Sequence, residues 1–344
     1  MKKLLIIFCL LLLCIIAGET WYMLHPYTIV RKQAIIPKPL LLYTFPNLKK
    51  IKLPQTQITL GNKTATTTSY FSQVFYYKTP ENPKSKTLLT VSGLMNAPTK
   101  PGTYPVIVML RGFVPSNIYV PGVGTQPVAQ VLAANGFITL APDFLGFGES
   151  SLGAIDSFAN RFQTYTTALS LLASLPTLND GLTASYSGTL SADMSHIGIW
   201  GHSNGGHIAL ATLAISGASY PTVLWAPVST SFPYDILYYT DESDDQGKVL
   251  RKMLAQFETV YNTDLFSPTN YYKWIKAPIE INQGTADVEV PYWWSENLVA
   301  TLKKNNMPIT YNTFIGADHN MLPTSTWNNA AADTVNFYKQ AFGK

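Results

Sequence analysis

The segment from residue 198 to 206, GIWGHSNGG, places Ser203 between Gly201 and Gly205, after one apolar run and before another. A serine hydroxyl becomes a good nucleophile when a neighbouring base takes its proton, and that base needs a carboxylate to fix its tautomer. Glycines on both sides permit a sharp turn, because a side chain there would collide with nearby backbone. The alternative is a tight strand-to-helix connection in which Ser203 only caps the helix.

The base and the acid have candidates farther along the chain. Of the five histidines, His319 alone lies in a polar loop directly after the last predicted strand; the others are His25, His196, His202 and His207. Asp287 also directly follows a predicted strand. Serine, acid and histidine, each after a strand, is an order known for one fold. Asp318 is an alternative acid, but adjacent side chains in a loop rarely align in this way.

The elements that would position these residues follow an alternating pattern. Short apolar runs alternate with helical patterns after residue 104; the predicted strands are 106–110, 137–141, 197–200, 222–225, 278–281 and 309–314, and the predicted helices are 126–135, 157–175, 204–215, 292–304 and 327–341. This alternation predicts an α/β fold with a mostly parallel twisted sheet and helices on both faces. Residues 58–98 predict antiparallel edge strands, and residues 229–276 predict a cap insertion.

With these residues in place, the sequence resembles the α/β-hydrolases, and within them the catalytic domains of the prolyl-oligopeptidase group and related stand-alone esterases. The resemblance covers about residues 87–342 and rests on the segments 104–113, 141–150, 201–205, 284–291 and 318–319. It implies that Ser203 is the nucleophile, His319 the general base and Asp287 the orienting acid. It also implies that the backbone amides of Asn204 and Phe113 form the oxyanion hole. Arg111 and Gly112 stand where the family more usually has His-Gly.

The reaction that the resemblance implies is hydrolysis of carboxylic esters through an acyl-enzyme. A serine peptidase acting on short peptides is the first alternative, and a catalytically silent, anchored binding protein is the second. Five aromatic residues either line an acyl pocket or belong to the core: Trp293, Trp294, Tyr234, Tyr238 and Tyr239. The sequence has no metal-binding motif and implies no cofactor.

Composition restricts the possible partners. The net charge of +4 is spread without basic clusters, which argues against nucleic-acid binding. Both cysteines, Cys9 and Cys14, lie in the apolar N-terminal segment, so the rest of the chain can form no disulfide. The expected partners are therefore a small ester or short peptide substrate and, through the N-terminal segment, a membrane.

The N-terminus predicts export. Lys2 and Lys3 precede an apolar stretch that is short for a membrane span but reaches spanning length at Leu24. Residues 1–24 are therefore predicted to be a signal peptide or a membrane anchor, residues 25–55 a lead-in or stalk, and residues 56–344 the hydrolase domain. The expected location is extracytoplasmic, either anchored or secreted.

Overall fold

The computed structural model describes residues 2, 12–15, 17, 19–21, 23 and 37–343. The chain divides into two compact units, residues 1–38 and 39–344. Within the described part, no helix has the length and apolar character needed to cross a membrane. Most of the predicted signal or anchor segment lies outside the described residues.

A mixed sheet forms the centre of the second unit. Across residues 39–343 it has nine strands: β1 (Thr59–Thr66), β2 (Tyr70–Pro80), β3 (Leu88–Pro98), β4 (Gly102–Leu110), β5 (Ile138–Pro142), β6 (Leu190–His202), β7 (Thr222–Trp225), β8 (Ile279–Gly284) and β9 (Ile309–Phe314). Their order is β1-β2-β3-β5-β4-β6-β7-β8-β9. The pairs from β1 to β5 are antiparallel, and those from β5 through β4 to β9 are parallel. The predicted α/β-hydrolase fold with antiparallel N-terminal strands is confirmed.

Helices cover both faces of this sheet. In the second unit the described α-helices are α1 (Phe45–Leu48), α2 (Gln126–Ala134), α3 (Ser157–Ser174), α4 (Leu178–Tyr186), α5 (Asn204–Ser216), α6 (Tyr234–Leu237), α7 (Lys248–Val260), α8 (Tyr292–Lys304) and α9 (Thr324–Ala341). Buried residues of α3, α4, α5 and α8 belong to one apolar cluster, and those of α2 and α9 belong to another. Helix α5 is apolar on all sides, as expected for a helix buried between neighbours.

Residues 39–48 pack into the core. Leu40, Tyr43, Phe45 and Leu48 are all buried, and the Phe45 ring stacks on that of Tyr271 with centroids 4.9 Å apart. Burying four large apolar side chains is favourable. This part of the predicted lead-in therefore belongs to the compact unit and is not a stalk.

The predicted cap insertion, residues 229–276, is mainly helical. It contains α6, α7 and short 3-10 turns between β7 and β8. Phe257 of α7 packs on Phe158 of α3, with ring centroids 4.8 Å apart. The cap is therefore attached to the sheet domain through α3.

Candidate active site

Ser203 occupies a strained turn between β6 and α5. Its backbone has φ 56° and ψ −124°, a conformation that a residue with a side chain rarely adopts. A Cβ at Gly205 would lie 1.9 Å from the carbonyl oxygen of Leu110, and one at Gly201 would lie 2.6 Å from that of Gly205. The two glycines are therefore required by close backbone contacts. The turn presents Ser203 at the carboxyl end of the parallel strands.

Asp287 and His319 form a buried pair in the loops after β8 and β9. His319 Nδ1 lies 2.9 Å from Asp287 Oδ2, and both side chains are almost fully buried. The Asp287 carboxylate also accepts hydrogen bonds from the backbone N–H groups of Glu289 and Val290 and from the side-chain amide of Gln283. These three donors hold the carboxylate in place, so that it fixes the orientation of the imidazole.

Asp318 does not contact the imidazole in this way. Its carboxylate accepts the backbone N–H groups of Asn320 and Leu322 and so shapes the loop that carries His319. The structure therefore brings Asp287, and not Asp318, to His319 Nδ1.

His202 connects the turn at Ser203 to the His319 loop. Its Nε2 donates to the carbonyl oxygen of His319 at 3.0 Å, and the two imidazole rings lie 4.6 Å apart. Burial, with a further contribution from His319, lowers the pKa of His202 to about 4. His202 is therefore neutral at pH 7, and it places no positive charge beside His319.

The free face of His319 points towards a second carboxylate. Nε2 lies 3.8 Å from Glu289 Oε2, and the Glu289 side chain is 60% exposed. In the described part of the chain no hydrogen bond joins Ser203 Oγ to His319 Nε2; such bonds are often long before a substrate binds. His319 therefore lies on a loop that contacts the turn, but its Nε2 is not hydrogen-bonded to Ser203 Oγ in the described structure.

The two predicted oxyanion donors lie on the wall of the same cavity. Asn204 is the first residue of α5, where N–H groups have no partner within the helix. Asn204 and Phe113 both line a cavity of about 230 Å³. Between β4 and Phe113, Gly112 comes so close to the turn that a Cβ there would lie 3.0 Å from Ser203 Cβ.

Arg111 fixes the loop that carries Gly112 and Phe113. Its guanidinium donates to the carbonyl oxygens of Gly112 and Asp143, at 3.0 and 3.1 Å. It also lies over the rings of Tyr119 and Phe147, 4.7 and 4.2 Å from their centroids. Arg111 therefore holds the loop in one place, although the family more usually has histidine here.

The five aromatic residues considered for an acyl pocket do not line this cavity. Trp294 is buried and packs edge-to-face on Tyr234 and Tyr238. Trp294, Tyr238 and Tyr239 belong to one apolar cluster, which favours the core interpretation for these three. Tyr234 and Trp293 are each 49% exposed and are not core residues.

Sequence reasoning missed His202 and Arg111. Both act through partners that are distant in sequence, 117 residues away for His202 and 32 residues away for the Asp143 contact of Arg111. The one available signal was the departure of Arg111 from the usual histidine. Nothing in the sequence indicated that His202 contacts the His319 loop.

Two family models match the chain. The model of the prolyl oligopeptidase family matches residues 180–344, which include Ser203, Asp287 and His319, and the chlorophyllase model matches residues 66–226. Among curated proteins, none matches at a significant level.

Solved structures share the fold at low identity. An acetyl xylan esterase from Paenibacillus sp. R4 is 18% identical over 88% of this chain and 95% of its own, with a TM-score of 0.57. Acetyl xylan esterase 1 from Thermoanaerobacterium sp. JW/SL YS485 is 15% identical over 88% and 94%, with a TM-score of 0.53.

A puromycin-hydrolyzing peptidase from Mycobacterium tuberculosis is 19% identical, with a TM-score of 0.51; the match covers 78% of this chain but only 37% of that one. The family models and the solved structures thus agree on the fold. The chain is therefore a hydrolase of the α/β-hydrolase type, similar to the prolyl oligopeptidase family and to esterases of the same fold.

Proposed function

We propose that this enzyme hydrolyses carboxylic esters through an acyl-enzyme on Ser203. The observation that carries the proposal is the strained backbone of Ser203, which is held beside a loop whose histidine is oriented by a buried carboxylate. Strain of this kind persists where the surrounding structure enforces it, most often at functional sites.

The first half of the reaction forms the acyl-enzyme. Ser203 Oγ attacks the carbonyl carbon of the ester while His319 Nε2 takes the hydroxyl proton. Asp287 keeps the other imidazole nitrogen protonated and stabilises the imidazolium that forms. The amides of Asn204 and Phe113 donate to the carbonyl oxygen as it becomes negative. The imidazolium then gives its proton to the departing alcohol.

The second half releases the acid. Water takes the place of the alcohol, His319 removes its proton, and the hydroxide attacks the acyl carbon. When the second tetrahedral intermediate collapses, the proton returns to Ser203. Neutral His202 favours both halves, because a charged group in its place would repel the imidazolium of His319.

An ester substrate is supported by the extent of the structural match. This chain corresponds to nearly the whole of two acetyl xylan esterases but to about a third of the peptidase. A serine peptidase acting on short peptides is the second candidate, because the prolyl oligopeptidase model covers all three proposed reacting residues. The same machinery attacks both carbonyl groups, so substrate tests must separate the two.

The test combines labelling with two substrate series. We expect a fluorophosphonate probe to label the protein on a single peptide containing Ser203. We also expect the protein to hydrolyse p-nitrophenyl esters in preference to aminoacyl-anilides. Faster cleavage of the anilides would favour the peptidase, and the absence of both labelling and turnover would favour a silent binding protein.

We also propose that the enzyme works outside the cytoplasm, with residues 1–24 serving as a signal peptide or anchor. The support is the pair Lys2–Lys3 before an apolar segment. N-terminal sequencing of protein from soluble and membrane fractions tests this. A mature chain beginning near residue 18 would exclude the anchor, and a full-length chain in the cytosol would exclude export.

A further inference from the structure

The cavity beside the proposed oxyanion hole is the starting point. It has a volume of about 230 Å³, which suits a short acyl group, and Asn204 and Phe113 are on its wall. The two proposed oxyanion donors therefore belong to residues that line this cavity.

The cavity lies on the acyl side of the proposed reaction. His319 protonates the leaving alcohol, so that alcohol must face His319. The described lining of the cavity includes Asn204, next to Ser203 in the chain, but not Ser203, His319 or Asp287. The acyl group points away from the leaving alcohol and is therefore the part of the substrate that enters here.

The charges on the wall are positive. Two arginines, Arg111 and Arg161, line the cavity, and the described lining contains no carboxylate. Each arginine has a carboxylate nearby, outside the described lining. Asp143 interacts electrostatically with Arg111. Asp235 of the cap is fully buried and binds one terminal nitrogen of Arg161, NH2, at 2.6 Å. This ion pair fixes the position of the Arg161 guanidinium without using its Nε–H.

Hydrogen-bond donors on the wall lack partners. The Nε atoms of Arg111 and Arg161 and the hydroxyl of Thr167 are buried without a hydrogen-bond partner in the described structure. Leaving buried donors unpaired is costly, so such donors usually meet a ligand or ordered water.

Deeper in the cavity, the Tyr165 hydroxyl and His207 Nε2 lie 2.6 Å apart. Burial lowers the pKa of His207 to about 4, so the imidazole is neutral at pH 7. His207 Nδ1 lies 3.5 Å from Asp235 Oδ2 without a hydrogen bond, and Asp235 Oδ1 also has no hydrogen-bond partner in the described structure. The Nε–H groups of the two arginines therefore still require an acceptor, which a ligand can supply.

We infer that this cavity binds an anionic acyl group, so that the substrate is an ester of a short dicarboxylic acid whose free carboxylate is held by Arg161. The inference rests on the proposed ester hydrolysis. A carboxylate fits because it has only acceptors and because arginine binds it in a charge-assisted way. A plain alkyl chain in the same cavity would leave these donors unpaired.

The experiment compares two esters of the same size. Monoethyl succinate ends in a carboxylate, and ethyl 4-methylpentanoate ends in an isopropyl group of similar shape. With the unaltered protein, kcat/KM measured by ethanol release should be at least about tenfold higher for the succinate ester, because a charge-assisted hydrogen bond is gained by only one of them. Arg161→Met should lower this ratio to about one or below.

The matched control is Arg251→Met. Arg251 is an arginine of the cap whose side chain is 46% exposed. It is absent from the described lining of the cavity, so its replacement should leave the ratio unchanged. An equal fall of the ratio in both variants would contradict a specific role for Arg161.

Arg161→Met leaves Asp235 buried without its partner, which can destabilise the fold. The double variant Arg161→Met/Asp235→Asn removes that problem. A second measurement needs no variant: succinate should slow fluorophosphonate labelling of the unaltered protein, and the neutral succinamide at the same concentration should not.

The outcomes separate the two proposals. A protein that hydrolyses both esters but prefers the neutral one overturns the anionic acyl site and leaves the ester hydrolase intact. Equal protection by succinate and succinamide also overturns the anionic site. A protein that neither labels nor hydrolyses any ester overturns both.

Discussion

Two clusters of serine, histidine and aspartate are associated with β6, one on the strand and one just after it, and they differ in almost every physical respect. On the strand, Asp193 accepts the Ser195 hydroxyl, and its carboxylate lies 2.7 Å from His196 Nδ1. Just after the strand comes Ser203; its neighbour His202 donates to the loop of His319, and His319 pairs with Asp287 from a third loop. We call these the surface cluster and the elbow cluster.

The surface cluster is local and solvated. Its three residues lie within four positions, where the pairing of β6 with β4 is irregular, and the side chains of Asp193 and His196 are 23% and 34% exposed. In the elbow cluster the side chain of Asp287 is fully buried, and Ser203 adopts a strained backbone. Residue types and hydrogen bonds are therefore shared by both clusters. Burial, strain and nearby free amides are found at the elbow alone.

The largest expected effect comes from replacing each serine by alanine. Ser203→Ala should reduce kcat for ester hydrolysis by about 10⁴ to 10⁶, because the nucleophile is lost. Ser195→Ala should leave kcat unchanged. Turnover is measured with a p-nitrophenyl ester, and circular dichroism verifies the fold. Equal losses in the two variants would mean that β6 matters for folding and not for chemistry.

The second largest difference between the two clusters is expected when each aspartate is replaced by asparagine. Asp287→Asn should lower kcat by about 10⁴, because an amide favours the wrong tautomer of His319. Asp193→Asn should have no effect on turnover. Asp318→Asn serves as a control within the same loop as His319. A greater loss in that variant than in Asp287→Asn would reverse the assignment of the acid.

Arg111→Lys tests whether the loop that carries Phe113 depends on the hydrogen bonds of the Arg111 guanidinium. Lysine keeps the charge but lacks the planar, forked guanidinium that reaches the carbonyl oxygens of both Gly112 and Asp143. We expect kcat to fall by about tenfold to a hundredfold with a smaller change in KM, since the loop acts on the transition state. Arg251→Lys is the control. An increase in KM with unchanged kcat would instead assign Arg111 to substrate binding alone.

The smallest expected effects concern stability and pH. The pKa of His202 is about 4 in the folded protein, below the ordinary value for histidine of about 6.5. The unfolded chain therefore binds more protons in this range, and stability is lost as the pH falls from about 6.5 to 4. This loss is about 3 kcal/mol for His202. His202→Gln, which keeps a donor for His319, should remove that part of the pH dependence in urea unfolding.

The contribution of the surface cluster to stability should change over a different pH range. Hydrogen bonds, first from Ser195 and then from His196, lower the pKa of Asp193 to about 2. Its contribution is present above about pH 4 and is lost as the pH falls towards 2. Because solvent screens this exposed group, Asp193→Asn should cost about 1 kcal/mol or less. If the stability of the unaltered protein does not change between pH 6.5 and 4, the role assigned to the burial of His202 is contradicted.

Most of the fold was predictable from the sequence, because it depends on local patterns. Apolar runs located the strands from β4 to β9, and the glycines located the turn at Ser203. Helix α7 was not predicted as a separate element, because residues 229–276 were interpreted only as one insertion; it buries Leu254 and Phe257. The buried contribution of residues 39–48 was also missed, because it arises only from tertiary packing.

The proposed reacting residues stand out in the sequence, and the residues that support them do not. Ser203, Asp287 and His319 each follow a strand, and that order is visible in the sequence. The hydrogen bond from His202 and the ion pair between Arg161 and Asp235 join positions 117 and 74 residues apart. Contacts of this kind depend on how loops and helices meet in space, for which a single sequence carries no signal.

Ser203 also has a consequence for engineering. Glycine adopts positive φ at little cost, so Ser203→Gly would relieve backbone strain on the order of 1 kcal/mol. A laboratory selection that screens thermal tolerance alone is therefore expected to favour glycine at this position and to lose turnover in the same step. A search for heat-resistant variants of this enzyme therefore has to measure activity as well as thermal stability.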